Sequence, residues 1–319
     1  MDNKEYAKLI NEAQAQKIAL TASTSKKLQG LYEDVNKDLM NKLSKSKGFN
    51  KAFQIDYKNF VKRRIATLND TIYKLGVDTV NKSSNLVVGT QESFFRQAEQ
   101  KTALKIPKEV IRGLYSIPED TVSRLLNGDL YKDGIGLSQR IWKATNKNQK
   151  DINYILAKAI AEKKPYAEIM KDLDSYSNPK AKKDWKWSTV YPGSNKVVDY
   201  NSQRLMRTGI NHAFFNTSII MAQRNPFVNA VHWTLSGQHY ERQVKRFGQD
   251  ICDINTNQNR YKLGQGNFPT NDVPVPHPNC LCSQSSVINK SLEDIGNELG
   301  DWANGNTKNQ KLDEWYANL

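Results

Sequence analysis

Apolar residues return at three- and four-residue steps over most of the first half of the chain. Tyr6, Ile10 and Ala13, then Leu28, Leu31, Val35 and Leu39, are spaced this way, which puts them on one face of a helix over residues 2–45. Lys47-Gly48 supplies a stop. Phe53, Tyr57, Phe60, Ile65, Leu68 and Ile72 mark a second long helix over 51–83. Residues 87–135 read as shorter helices and turns. Pro107 and Pro118 each open a helix, because proline fits the first turn, and Asn127-Gly128 and Asp133-Gly134 are turn dipeptides. Helix resumes at 137–163, and again at 165–173 behind Pro165.

The pattern breaks over 174–200, where Pro, Gly and Ser accompany a basic-aromatic cluster and no period is sustained. A linker or a β-excursion is expected there. Helix follows at 201–223. Val228–Leu235 then reads as a strand, residues 236–280 are rich in Gly, Asn, Asp and Pro, and 283–288 fit a short strand. Residues 291–318 read as a polar helical tail that either docks on a partner or frays. The expected class is therefore mainly α: an elongated helical N-terminal region, then a small α+β C-terminal domain with a Cys/His loop. The expected boundaries are a helical basic region over 1–175, the linker over 176–199, the small domain over 200–288 and the tail over 289–319.

Composition supports long helices with one apolar stripe over a thick globule: 38% of residues are hydrophobic and mean hydropathy is −0.71. The net charge of +14 is uneven, with 36 Lys and Arg against 23 Asp and Glu in residues 1–200, and 11 against 10 beyond. A basic half suits a polyanion such as double-stranded DNA, bound without sequence preference through its phosphates, although abundant Lys beside abundant Asn is also what an AT-rich genome writes. The candidate contacts are Lys62, Arg63 and Arg64 on the second helix, and Lys180, Lys182, Lys183 and Lys186 interleaved with Trp185 and Trp187. The competing reading for both clusters is a solvated face. The first residues do not form a secretory signal, and the apolar stretches are too short to span a bilayer. Synthesis in the cytoplasm and no membrane partner are expected.

All three cysteines and two of the four histidines fall between His239 and Cys282. His277, Cys280 and Cys282 share a Pro-punctuated loop, and Cys252 lies upstream. Three thiolates and one imidazole make a structural zinc set, soft sulfur favours zinc over calcium or magnesium, and a loop so poor in apolar residues gains order from a metal clip. His239 is a substitute for His277. The C-x-C spacing of Cys280 and Cys282 is less usual than C-x-x-C. The alternative is that the cysteines are small buried residues and His277 a hydrogen-bonded loop histidine.

The same window resembles the C-terminal domain of phage Mu F and related minor head, or head morphogenesis, proteins. The residues that carry the resemblance are Trp233-Thr234-Leu235-Ser236, His239, Asp250-Ile251-Cys252-Asp253, Leu263-Gly264-Gln265-Gly266-Asn267-Phe268-Pro269 and Pro274-Val275-Pro276-His277-Pro278-Asn279-Cys280-Leu281-Cys282. The preceding Arg204, Arg207-Thr208 and Asn211 are similar to the family's Arg-Thr helix. The match spans residues 200–288, and Leu281 stands where the family usually has Arg. The resemblance implies a non-enzymatic minor capsid protein inside the virion. Its partners would be the portal, capsid or scaffolding protein and the packaged DNA, with a role in head assembly, DNA packaging or ejection.

Two enzyme readings compete. His239-Tyr240-Glu241 matches the H-x-E of zinc deaminases, in which zinc activates water and the Glu carries the proton, so the alternative is a phage-encoded zinc-dependent DNA-modifying enzyme. Against it, the cysteine pair is one residue too close, and a strand follows where that chemistry expects a helix. A Cys/His nucleophile is the other, though three crowded thiols suit ligands better. No P-loop or dinucleotide-binding glycine pattern occurs.

Overall fold

The computed structural model describes residues 4–46, 50–103, 105–117, 121–129, 131–181 and 197–318. Helix dominates. α1 (Lys4–Ser44) and α2 (Lys51–Lys101) are followed by α3 (Lys108–Tyr115), α4 (Thr121–Asn127), α5 (Leu137–Ala161), α6 (Tyr166–Ser177) and α7 (Tyr200–Arg224). Short strands and helices follow: β1 (Ala230–Thr234), a π-helical turn (Tyr240–Val244), α8 (Lys245–Phe247), α9 (Ile251–Asn257), β2 (Asn267–Phe268), β3 (Ser283–Val287), α10 (Leu292–Ala303) and α11 (Gln310–Ala317). The expected class holds: a mainly helical chain with a small C-terminal sheet and a Cys/His cluster.

Burial along α1 and α2 repeats every eleven residues. On α1 one series is Tyr6, Lys17, Leu28 and Leu39; on α2 one series is Tyr57, Leu68, Thr79 and Thr90. Eleven residues over three turns is 3.67 per turn, close to the α-helical period, so the stripe of buried positions keeps in step with the helix. α2 is continuous through 87–101, where short helices and turns were expected. Between residues 79 and 91 its buried face is largely polar, with Thr79, Ser83, Ser84, Thr90 and Gln91 beside Val80 and Val87, before Phe94, Phe95 and Ala98 make it apolar again, and no proline interrupts the helix.

The chain folds as two compact units, and neither is one continuous segment. Unit 1 comprises Met1–Thr21, Thr79–Leu125 and Arg207–Leu319; unit 2 comprises Ala22–Asp78 and Leu126–Met206. α1, α2 and α7 each contribute to both. The division on α1 and α2 falls where the stripe turns polar, at Lys17, Thr21 and Thr24 and at Thr79, Ser83 and Ser84.

Unit 2 is a helical bundle whose core joins Leu28, Leu39, Ile65, Ile72, Ile152 and Leu173. Its buried hydroxyl is satisfied: the Tyr32 hydroxyl lies 2.7 Å from Ser202 Oγ and accepts from Asn148 Nδ2 at 3.0 Å. Gly128, at φ +101°, turns the chain after α4, and a Cβ there would lie 2.6 Å from the Gly136 nitrogen. The linker or β-excursion expected over 176–199 begins later, because α6 runs to Ser177; residues 182–196 lie outside the described residues.

In unit 1 the sheet order is β2-β1-β3, all antiparallel, with Val231 opposite Phe268 and Ser286. The polar C-terminal segment is not a loose tail. Ile295, Leu299, Leu312 and Trp315 are buried in one core with Phe94 and Phe95. α10 starts at Ser291, whose Oγ accepts from Asp294 N, and α11 at Asn309, whose Oδ1 accepts from Leu312 N. α10 lies close against α2: a Cβ on Gly296 would be 2.4 Å from the Ala98 carbonyl oxygen. The tail read as polar because its apolar residues are few, but they share one face. Leu299→Ala should therefore cost about 2–5 kcal/mol, the range for truncating a buried leucine. Denaturant unfolding checks this; a loss within about 0.5 kcal/mol, as at an exposed site, would show that the segment frays.

Candidate metal centre

The three thiols and two histidines that the sequence singled out come together at one edge of the small sheet, each placed by a local device. Asp250 is the N-cap of α9: its Oδ1 accepts from Cys252 N at 2.8 Å, and its own N donates to Asp253 Oδ2 at 2.8 Å. This reciprocal capping box explains the Asp-x-Cys-Asp spacing. It fixes Cys252 in the first turn, where the side chain is fully buried.

His277-Pro278-Asn279-Cys280 closes as a turn, with Cys280 N donating to His277 O at 3.2 Å and Asn279 at φ +70°. Proline then asparagine at the two central positions suits a type II turn, which brings His277 and Cys280 to its two ends. Cys282 immediately precedes β3. His239 lies just ahead of the π-helical turn, with its backbone N bonded to Ser236 O at 2.8 Å.

The thiols lie together. Cys252 Sγ is 3.6 Å from Cys280 Sγ, and His239 Nδ1 is 3.7 Å from Cys282 Sγ. Backbone N–H groups of Cys282 and Ser236 point at Cys280 Sγ and Cys282 Sγ, at 3.2 and 3.4 Å. Cys252, His277 and Cys280 present ligand atoms that all lie within 4.8 Å of one another, so this group could hold a metal ion. The imidazoles are braced by carboxylates: His239 Nε2 lies 3.0 Å from Asp253 Oδ2 and His277 Nε2 3.2 Å from Asp250 Oδ2.

The electrostatics mark Cys282 as the anionic sulfur. Hydrogen bonds from Cys252 and Cys280 pull its pKa far down, and Ser236 N–H and His239 add to this. Cys252 moves the other way, because it donates to the other two sulfurs and is buried. For Cys280 the bond from Cys252 lowers the pKa, but donation to Cys282, burial and repulsion from Cys282 outweigh it and raise it. Burial lowers the His239 pKa, and the Asp253 hydrogen bond with the charges of Cys282, Asp253 and Asp250 more than offsets that and raises it.

Several supports were not legible as site residues. Lys17 of α1, 1% exposed, donates from Nζ to Asn211 Oδ1 at 2.8 Å and to the carbonyls of Leu281 and Cys282 at 3.4 and 3.3 Å. Its ammonium also lies 4.7 Å from the Phe214 ring centroid. Burial lowers its pKa to about 8, against the raising pull of Cys280 and Cys282. From α7, Arg207 bonds to Asn279 Oδ1, Thr208 Oγ1 accepts from Asn279 N at 2.9 Å, and His212 Nε2 lies 2.9 Å from Pro276 O. These residues are spread over 265 positions of sequence, and only the Arg-Thr step of α7 carried a signal.

The other candidates are not part of this cluster. Lys62 and Arg63 are exposed on α2, while Arg64 pairs with Asp38 at 2.5 Å. Lys180 is exposed and pairs with Glu33 at 2.9 Å. Lys182, Lys183, Trp185, Lys186 and Trp187 lie outside the described residues. Trp233 is a core residue, 1% exposed. Glu241, of the H-x-E motif, is 63% exposed and pairs with Lys245 at 2.9 Å. Comparisons with protein-family models, with curated proteins and with solved structures find no match to this chain.

Lys17→Met keeps the length of the side chain and removes its donor, leaving the Asn211 and Cys282 oxygens short of a partner. It should lower stability by about 1–3 kcal/mol, read as a fall in the unfolding midpoint. No change would mean that water replaces the ammonium.

Proposed function

We propose that this chain is a bacteriophage minor head protein of the Mu F type, an internal and non-enzymatic capsid component that works beside the portal, with a structural zinc ion in its C-terminal part. The observation that carries the reading is convergence. The separate pieces of the resemblance, from the Arg-Thr step of α7 through Asp250–Asp253 to the His277–Cys282 loop, meet around one buried thiol cluster.

The donor set supports zinc. Among the described residues, three of the five buried members of this local core are cysteines, with Trp233 and Phe268 beside them and Leu235, Tyr261 and Val273 partly buried against it. So small an apolar core stabilises little by itself, and thiolate–metal bonds would supply the missing order. Cys252, His277 and Cys280 lie close enough to share an ion, and Cys282 would complete a set of the Cys₃His kind. His239 is the substitute, since its Nδ1 faces Cys282 while Asp253 holds Nε2, the arrangement in which a carboxylate orients a metal-bound imidazole. Portal, capsid or scaffolding protein and double-stranded DNA are the partners that the resemblance supplies, with the virion interior as the location.

Protein prepared under reducing conditions without chelator should hold one zinc per chain, by stoichiometric metal analysis, and Cys252→Ser should lose it. Histidine to alanine at 277 or at 239 identifies the fourth ligand, whichever costs the metal. Wild-type protein free of metal would sink the zinc assignment. The head-protein reading has its own test: quantitative mass spectrometry of purified particles, with protease protection, before and after ejection. A few protected copies per particle are expected, and absence from particles overturns the reading.

A further inference from the structure

Unit 2 holds most of the positive charge: 27 Lys and Arg against 15 Asp and Glu, or +12 of the total +14. Its helix α5 has an outer stripe that the sequence reading did not single out. Trp142, Lys143, Lys147, Lys150, Tyr154 and Lys158 fall within about 160° of arc on a helix that turns about 100° per residue. The opposite face, with Ile141, Ile152 and Ile155, is buried in the bundle core.

Two features separate this stripe from an ordinary solvated face. The first is the scarcity of acid: outside the helix, Glu162, just past its end, pairs with Lys158 at 3.8 Å. Asp151 is the helix's single acidic residue, and it is buried, accepting from Lys147 Nζ at 2.6 Å and from the Tyr176 hydroxyl at 2.5 Å. Lys143 and Lys150 are exposed and form no ion pair among the described residues. The second is aromatic exposure. Trp142 is 56% exposed and Tyr154 44%. Large aromatic rings left in water cost free energy, and they are enriched where a partner covers them.

We propose that the outer face of α5 binds single-stranded nucleic acid without sequence preference, the lysines meeting phosphates and the Trp142 and Tyr154 rings stacking on unpaired bases. Charge complementarity selects a polyanion. The rings select a single strand, since a duplex keeps its base faces stacked and a single strand offers them. Lys143 and Lys158 are fifteen residues apart, so the row is about 22 Å long at 1.5 Å per residue, which spans several nucleotides. The inference stands independently of the head-protein reading and goes beyond its duplex partner.

The test uses the full chain and a fluorescein-labelled oligothymidylate, with a duplex of equal length as comparison, in anisotropy titrations over a range of salt. Wild type should bind the oligothymidylate more tightly than the duplex. Lys143→Gln with Lys150→Gln should weaken binding about tenfold or more and reduce the salt slope by about 1.4, from about 0.7 for each lost phosphate contact on a single strand. Trp142→Ala should weaken it about fivefold or more, and Trp142→Phe should recover most of that, because a ring rather than an indole N–H is needed. Lys26→Gln with Lys27→Gln removes equal charge from exposed α1 positions and should stay within about threefold of wild type. Undetectable binding, equal loss in the two charge variants, an unaffected Trp142→Ala, or duplex binding at least as tight each overturns the proposal. None of these outcomes bears on the presence of the protein in particles.

Discussion

The eleven-residue repeat of buried positions on α1 and α2 is the constraint from which the rest of the structure follows. A repeat of 3.67 residues per turn keeps the stripe of buried positions in step with the helix, so within each unit α1 and α2 present a face for other elements to cover. Where that stripe is apolar, as at Leu28, Leu39, Leu68 and Ile72, it collects the helices of unit 2. Where it is apolar again, at Tyr6, Phe94, Phe95 and Ala98, it collects the C-terminal helices of unit 1. Buried Lys, Thr and Ser between those stretches do not add to either core, and the division of the chain falls there.

The thiol cluster is organised differently. Its local core is too small to hold a loop of this length by burial alone, so polar devices do the positioning. A capping box sets Cys252, a proline-asparagine turn sets His277 against Cys280, and strand β3 sets Cys282. Lys17 and the α7 residues Arg207, Thr208 and His212 hold the loop backbone from the other side. Lys17 also places a buried cation near Cys280 and Cys282, where it favours a thiolate over a thiol. Metal ligation and these hydrogen bonds are complementary: the bonds orient the donors, and an ion would replace the contacts the sulfurs now make with one another.

Charge and fold are also divided. Unit 1, which contains the cluster, is nearly neutral, whereas unit 2 carries +12. A helical bundle suits that load, since exposed lysines on its outer faces leave the core untouched. The α5 stripe combines exposed lysines with the exposed rings of Trp142 and Tyr154.

Much of this was legible in the residues themselves. Helical period, turn dipeptides and the Pro-punctuated cysteine loop are local properties, and local spacing fixes them before any packing occurs; hence the long helices, the β1 and β3 strands and the five candidate ligands could be read directly. The length of α2 past residue 83 could not, because buried Ser84, Thr90 and Gln91 interrupt the apolar period before Phe94, Phe95 and Ala98 resume it, and such polar residues look like surface positions until other parts of the chain cover them. The docking of α10 and α11 was hidden because a few apolar residues on one face are as consistent with a frayed helix as with a core. Lys17 was invisible for the strongest reason: a lysine among helical residues is by default solvated, and only the approach of α7 and the Cys280–Cys282 loop, far away in sequence, makes it a buried donor. The sequence by itself determined the local elements and the inventory of ligand atoms; the tertiary structure decided which long-range partners each polar group would meet, because burial is a property of neighbours that no local pattern contains.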